Sequence, residues 1–260
     1  MAFLLADPQA RGRLLRWALT AAAAGVVLAL LAFLLLPDSA PKGERERALL
    51  RSRQCAGCDL AGADMRGAQL DGAHLGGAVL RGAALARASL VGAVLERASL
   101  AGANLARADL SGARLAQIDG EGAQFTDARL PGAQMRGAML DRSDLSDADL
   151  SGAMLAGASL AEARLRDADL RRAWLFGANL RKANLRGADL RSVDAEGANL
   201  SGADLRKADL RNANLRNANL AGADMRGART EGADMRGAVT DGAHVGASGL
   251  LARPRPPPER

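Results

Sequence analysis

Three observations predict an all-β solenoid preceded by one membrane-spanning α-helix. A five-residue phrase, reading small–polar–large and then two variable residues, repeats 38 times between Cys58 and Val245 with no insertion or deletion. Aromatic residues make up only 2% of the chain and tyrosine is absent, which argues against a conventional globular core and for an aliphatic one. Ahead of the repeats, Trp17 to Leu36 runs for 20 residues without a charge.

Residues 1–16 form a short tail carrying Arg11, Arg13 and Arg16. As a helix, the apolar run at 17–36 would be ~30 Å long, the thickness of a bilayer's hydrocarbon core. A secretory signal has a shorter apolar region, ~7–15 residues, and a small-x-small cleavage site. Asp38 and Ala40 make a poor site, and Pro41 would follow the cut. The segment therefore reads as an uncleaved single-pass anchor in the inner (cell) membrane. Three arginines lie within six residues upstream of it, against Lys42 alone at that distance downstream. This places the amino terminus inside and the repeats outside the cytoplasm, although Arg45, Arg47, Arg51 and Arg53 blunt the asymmetry.

Residues 37–54 read as a linker and a capping helix. Pro37 to Gly43 is rich in breakers, and Glu44 to Arg53 forms a short helix with Ala48, Leu49 and Leu50 as its apolar patch. A solenoid needs such a cover, because its first coil otherwise exposes an apolar end and unpaired edges.

The period excludes an α-helix for residues 55–246. Five helical residues advance about 500°, which spreads leucines around the circumference and leaves no face to bury. In extended chain, residues two apart point the same way. The small and large positions then both face inward, with the residue between them outward. Leu, Met or Phe fills the large position at 33 of 38 sites and Ala the small position at 34 of 38. Of 30 glycines, 23 fall in the phase immediately before the small residue, where the chain turns a corner. Two phrases trade volume within themselves: Ile118 is large where Gly120 is empty, and Val193 is large where Ala195 is small. Thr230, Thr240 and Val245 replace leucine as the regular core fades, and residues 247–260 form a Pro/Arg tail.

Runs such as Ala178-Asn179-Leu180, Ala183-Asn184-Leu185 and Ala188-Asp189-Leu190 resemble the pentapeptide-repeat family, whose motif is Ala-(Asp/Asn)-Leu-x-x. The match covers about 190 of 260 residues. The resemblance implies a right-handed quadrilateral β-helix with four phrases per coil. The repeats would then make about nine and a half coils and a rod of ~45 Å. Residues 20 apart would stack in one column.

A net charge of +6 suggests a polyanion partner until the charges are placed. From Cys58 to Val245 there are 24 basic and 24 acidic residues, so the excess lies outside the array. With no aromatic interleaving for base stacking either, no nucleic-acid partner is expected. Arg166, Arg186, Arg206 and Arg226 form one basic column. Asp149, Asp169, Asp189 and Asp209 form another column, sharing a face with Arg171, Arg191 and Arg211. Single exposed ion pairs contribute only ~0–1 kcal/mol, and the arrangement reads as a solvated charge lattice.

Cys55 and Cys58 fall at the first inward large and small positions. They either close a disulfide in an oxidising compartment, pinning the cap to the first coil, or remain a reduced pair of small core residues. Haem attachment would need histidine where Asp59 stands, and a zinc site lacks two further ligands. No metal, cofactor or catalytic residue is expected. His74 and His244 occupy outward positions at opposite ends of the array. The outward Asp and Asn residues suit backbone bonding at turns better than acid–base chemistry.

One outward cluster stands apart. Met154 and Trp174 are consecutive rungs of a column, and Phe176 is outward on the Trp174 strand. An exposed tryptophan with apolar neighbours is a typical contact anchor. These features imply a tethered rod that displays surfaces to a protein partner. The resemblance offers an alternative, the branch that protects DNA gyrase by mimicking DNA. That branch implies a strongly acidic surface, which the neutral array lacks. Thiol exchange by Cys55 and Cys58 would need an accessible thiolate.

Overall fold

The computed structural model describes residues 42–245; the predicted anchor at 17–36 and the tails at 1–16 and 247–260 lie outside them. Among the described residues no helix is long and apolar enough to cross a membrane. The chain winds as a solenoid in which outward residues pair in parallel with those 20 positions on, from Gln54↔His74 to Asn219↔Val239. The last coil closes on two short parallel strands, β1 (Asp224–Met225) and β2 (His244–Val245). Four phrases thus make one coil.

The core is a continuous column of leucine and alanine along the axis. Leu70 to Leu185 at the large positions, and the alanines from Ala73 to Ala183 at the small ones, are almost wholly shielded from solvent. Each leucine contributes ~1.5–3 kcal/mol by burial, so stability is a sum of similar steps along the rod. Ser143, the one buried polar side chain among the described residues, donates from Oγ to the Leu140 carbonyl at 2.7 Å.

A backbone amide count explains the phrase. In the phrase around Leu60, the Leu60 and Gly62 N–H groups donate to the next coil, at Val79 O and Arg81 O, both 2.8 Å. Ala63 N–H closes a turn onto Leu60 O at 3.0 Å. Outward residues bond the previous coil, as Val79 N–H does to Cys58 O at 2.8 Å. One N–H per phrase remains, and where the outward residue is Asp or Asn its side chain captures it: Ala61 N–H donates to Asp59 Oδ1 at 3.1 Å, and Ser201 N–H to Asn199 Oδ1 at 3.1 Å. The preference for short acceptors at the outward position is therefore backbone accounting.

The corner residue before each small position has φ between 54° and 76° at every phrase from Gly57 to Gly242. Glycine occupies 23 of these corners, and polar residues without β-branching occupy the others, such as Arg87, Lys182 and Asn217. Left-handed backbone costs a residue with a Cβ ~1–2 kcal/mol. Arg87→Gly is therefore expected to stabilise the rod by about 1 kcal/mol, part of the relief being offset by glycine's greater unfolded-state entropy. A urea midpoint below that of the parent protein would contradict this.

Helix α1 (Lys42–Ser52) sits at the entrance of the solenoid. Leu49 is fully buried, Ala48 is half-buried, and Leu50 is exposed. The expected three-residue apolar patch is thus corrected to one anchor. Neighbouring helical residues point about 100° apart, so Leu49 and Leu50 do not share a face. Arg53 ends the helix in the left-handed conformation, its N–H donating to Leu49 O at 2.7 Å. Glu46 Oε1 accepts the Asp64 N–H at 3.3 Å and ties the helix to the first coil. At the other end Thr230, Met235 and Thr240 are half-buried and Val245 is exposed, so the core thins where the leucines stop.

Candidate interaction surface

Cys55 and Cys58 are both buried and joined by a disulfide, with Cα atoms 5.3 Å apart. The bridge closes the first turn of the array; both cysteines follow helix α1, so it does not pin the cap to the first coil, which corrects the sequence expectation. Neither sulfur presents an exposed thiolate, which thiol exchange requires. His74 and His244 are exposed on separate coils, and no group of metal-binding side chains gathers among the described residues.

The basic column is largely neutralised. Arg206 and Arg226 fork onto Asp204 and Asp224 of their own rungs at 2.5 Å, and Arg206 also reaches Asp224 at 3.6 Å. Arg166 pairs with Asp167 at 2.9 Å, while Arg186 enters no ion pair among the described residues. Arg171, Arg191 and Arg211 likewise fork onto Asp169, Asp189 and Asp209 at 2.5 Å. They line an open groove of 660 Å³ with Arg172, Ser151 and Ser192. Because three of its four guanidinium groups are already clamped by carboxylates, this groove is not a cage for a free anion.

These clamps make stability depend on acidity. A side-chain hydrogen bond from Arg226 and the Arg226 backbone N–H hold the Asp224 carboxyl at about 2, and Arg236 does the same for Asp234. Arg66 and Arg206 lower Asp64 and Asp204 in the same way. Since each folded value lies below the ordinary 3.8, the contribution is complete above about pH 4 and is lost as pH falls toward 2. The urea midpoint is expected to drop between about pH 4.5 and pH 2 and to stay level from pH 5 to 7 on this account. A flat midpoint down to pH 2 would contradict it.

The apolar cluster is open to solvent. Met154 and Trp174 pair as consecutive rungs, and Trp174 is 61% exposed, Phe176 57% and Met154 43%. Phe176 lies in the turn after Leu175, so it stands on the corner and not on the strand, which corrects the sequence expectation. Met139 is 50% exposed on the next face round the corner, one rung below Ser159. The corner between these faces carries Gly157 and Gly177, and a Cβ added to either would meet nothing within 4 Å. Sequence reasoning overlooked Met139 because it belongs to a neighbouring column; comparing columns across a corner would have found it.

A family profile described as Pentapeptide repeats matches the chain in eight copies between residues 48 and 239. The chain belongs to the pentapeptide-repeat family. Among solved structures this pentapeptide-repeat protein is similar to HetL, a pentapeptide repeat protein involved in heterocyst differentiation regulation from the cyanobacterium Nostoc sp. strain PCC 7120. That likeness has 31% identity over 73% of this chain and 89% of HetL, with a TM-score of 0.57. QnrB1, a plasmid-mediated fluoroquinolone resistance protein, aligns at 19% identity over 74% of this chain and 89% of its own, with a TM-score of 0.45. No curated protein sequence matches this pentapeptide-repeat chain. Family membership makes its solenoid a right-handed β-helix.

Proposed function

We propose that the protein is a membrane-tethered interaction scaffold: a single-pass anchor at Trp17 to Leu36 holds the rod at the inner membrane, and the rod's side binds protein outside the cytoplasm. The observation that carries this reading is the exposed cluster of Met154, Trp174 and Phe176. It interrupts a surface whose charges are otherwise largely paired within the rod, and large exposed aromatics of this kind anchor protein contacts. The arginine columns and the neutral array speak against a role as a DNA mimic, which needs an acidic face.

Two measurements in cells test it. A photo-crosslinking phenylalanine analogue at Trp174 is expected to give an adduct of higher mass, while the same group at Asn104, on another side of the rod, gives none. Absence of an adduct at 174 overturns the interaction reading. A topology reporter fused after Arg260 is expected to report from outside the cytoplasm, and an inside signal overturns the proposed location.

A further inference from the structure

The charges that flank the apolar cluster on its own corner are of opposite sign at the two ends. Arg136 is exposed and enters no ion pair among the described residues, and it sits one rung below Ala156 on the cluster's corner. One rung above Phe176, Asp194 and Glu196 also lack a basic partner, and their side chains accept only from Asn214 Nδ2, at 2.8 and 3.3 Å, and from the Glu196 N–H. Along the corner the order is therefore an unpaired cation, Met154 with Ala156, Trp174 with Phe176, and then unpaired anions. Of the other charges near the cluster, Arg114 is paired with Glu96 at 2.7 Å and Arg181 with Glu162 at 3.3 Å, while Arg172, Lys182 and Arg216 enter no ion pair among the described residues.

This order is self-complementary under one operation. A two-fold axis perpendicular to the rod, passing between the Met154 and Trp174 rungs, lays the Trp174/Phe176 rung of one copy on the Met154/Ala156 rung of another. The same axis brings Arg136 of each copy opposite Asp194 and Glu196 of the other. An interface between identical chains requires such a patch, which reads the same after rotation. The next rung out sets Arg114, already neutralised by Glu96, against Arg216, which enters no ion pair among the described residues. Parallel packing would instead set Arg136 against Arg136 and Glu196 against Glu196. Gly157 and Gly177 carry no side chains at the corner, so under this axis Phe176 of each copy faces Ala156 and Gly157 of the other. Aromatic anchors at the centre with charged groups at the rim match the general anatomy of protein contacts.

We infer that the occupant of the Met154/Trp174/Phe176 surface is a second copy of this chain, packed side by side and antiparallel, with Arg136 of each copy paired to Glu196 and Asp194 of the other. This rests on the reading of that cluster as a contact surface. It also accounts for the three unpaired charges, which that reading leaves unexplained.

Sedimentation of the full chain in a mild detergent tests it. The parent protein is expected to run as a dimer, and Trp174→Ala with Phe176→Ala to raise the dissociation constant at least about tenfold while leaving the folded signal intact. Arg136→Glu alone and Glu196→Arg alone are each expected to weaken the dimer, and the two together to restore it. A parent protein that stays monomeric, a dimer indifferent to Trp174, single charge reversals without effect, or a double variant that fails to recover would each overturn the antiparallel dimer. A monomer that still forms the crosslinked adduct at position 174 with a different protein would overturn the dimer and leave the interaction reading standing.

Discussion

Phe125→Ala is expected to destabilise the rod by about 3–5 kcal/mol, the cost of an aromatic deletion in a core that cannot collapse. Phe125 is the largest fully buried side chain among the described residues and stands in the inward column between Leu105 and Leu145. The backbone around it is held on both sides: its N–H donates to Asp144 O at 2.6 Å, and Leu105 N–H donates to Gln124 O at 2.7 Å. Coil spacing is set by these ladders, so the walls cannot close on the hole. Phe125→Leu restores the usual residue and is expected to cost less than about 1.5 kcal/mol. Because stability accumulates between neighbouring coils, the loss is local before it is global. Hydrogen exchange in Phe125→Ala is expected to quicken first near residues 105–145, with the leucine coils at 165–220 protected for longer. An alanine variant within about 1 kcal/mol of the parent, or uniform loss of protection, would show that the core relaxes more than a solenoid should.

The period of five made the core legible because each inward position recurs in the same phase. Leu90, Ala93 and Leu95 could be placed inside from the sequence, and they are fully shielded. The 20-residue register was legible through family resemblance, and Met154↔Trp174 follows it. Geometry within one phrase was less so. Leu50 turned outward because helical phase outranks hydrophobicity in a short cap. Phe176 went to the corner because the residue after each large inward position begins a turn. The charges were the least legible. Arg206 and Arg186 occupy equivalent places in one column, yet Arg206 has Asp204 two residues before it and Arg186 has Asn184. Whether an arginine is free depends on that partner and on the rungs above and below, which a tally of net charge erases. Arg136, Asp194 and Glu196 were missed for this reason.

The coil that carries Phe125 also departs from the repeat at Ile118 and Gly120, and the structure shows why the pair must be read together. Ile118 is fully buried at a position that elsewhere holds alanine. A Cβ added at Gly120 would lie 2.9 Å from Leu140 Cδ2, 3.4 Å from Met139 O and 3.7 Å from Ile118 Cδ1. The space a leucine would need is therefore filled already, by Ile118 in the same phrase and by Leu140 in the next coil. Gly120→Leu, which brings the phrase closer to consensus, is expected to destabilise by about 1–3 kcal/mol through overpacking. Ile118→Ala alone is expected to destabilise as well, by removing buried methyl groups. Combined, the two substitutions recreate the ordinary alanine–leucine phrase and are expected to recover most of the loss, so the coupling between them should be favourable and of the same size as the single effects. Urea unfolding of the four proteins measures it. Additive losses would mean that Leu140, in the next coil, opposes the new side chain, and that volume is balanced between coils. Recovery would mean that each phrase settles its own volume, which is what would allow a rod of 38 phrases to tolerate local exceptions without passing strain along its axis.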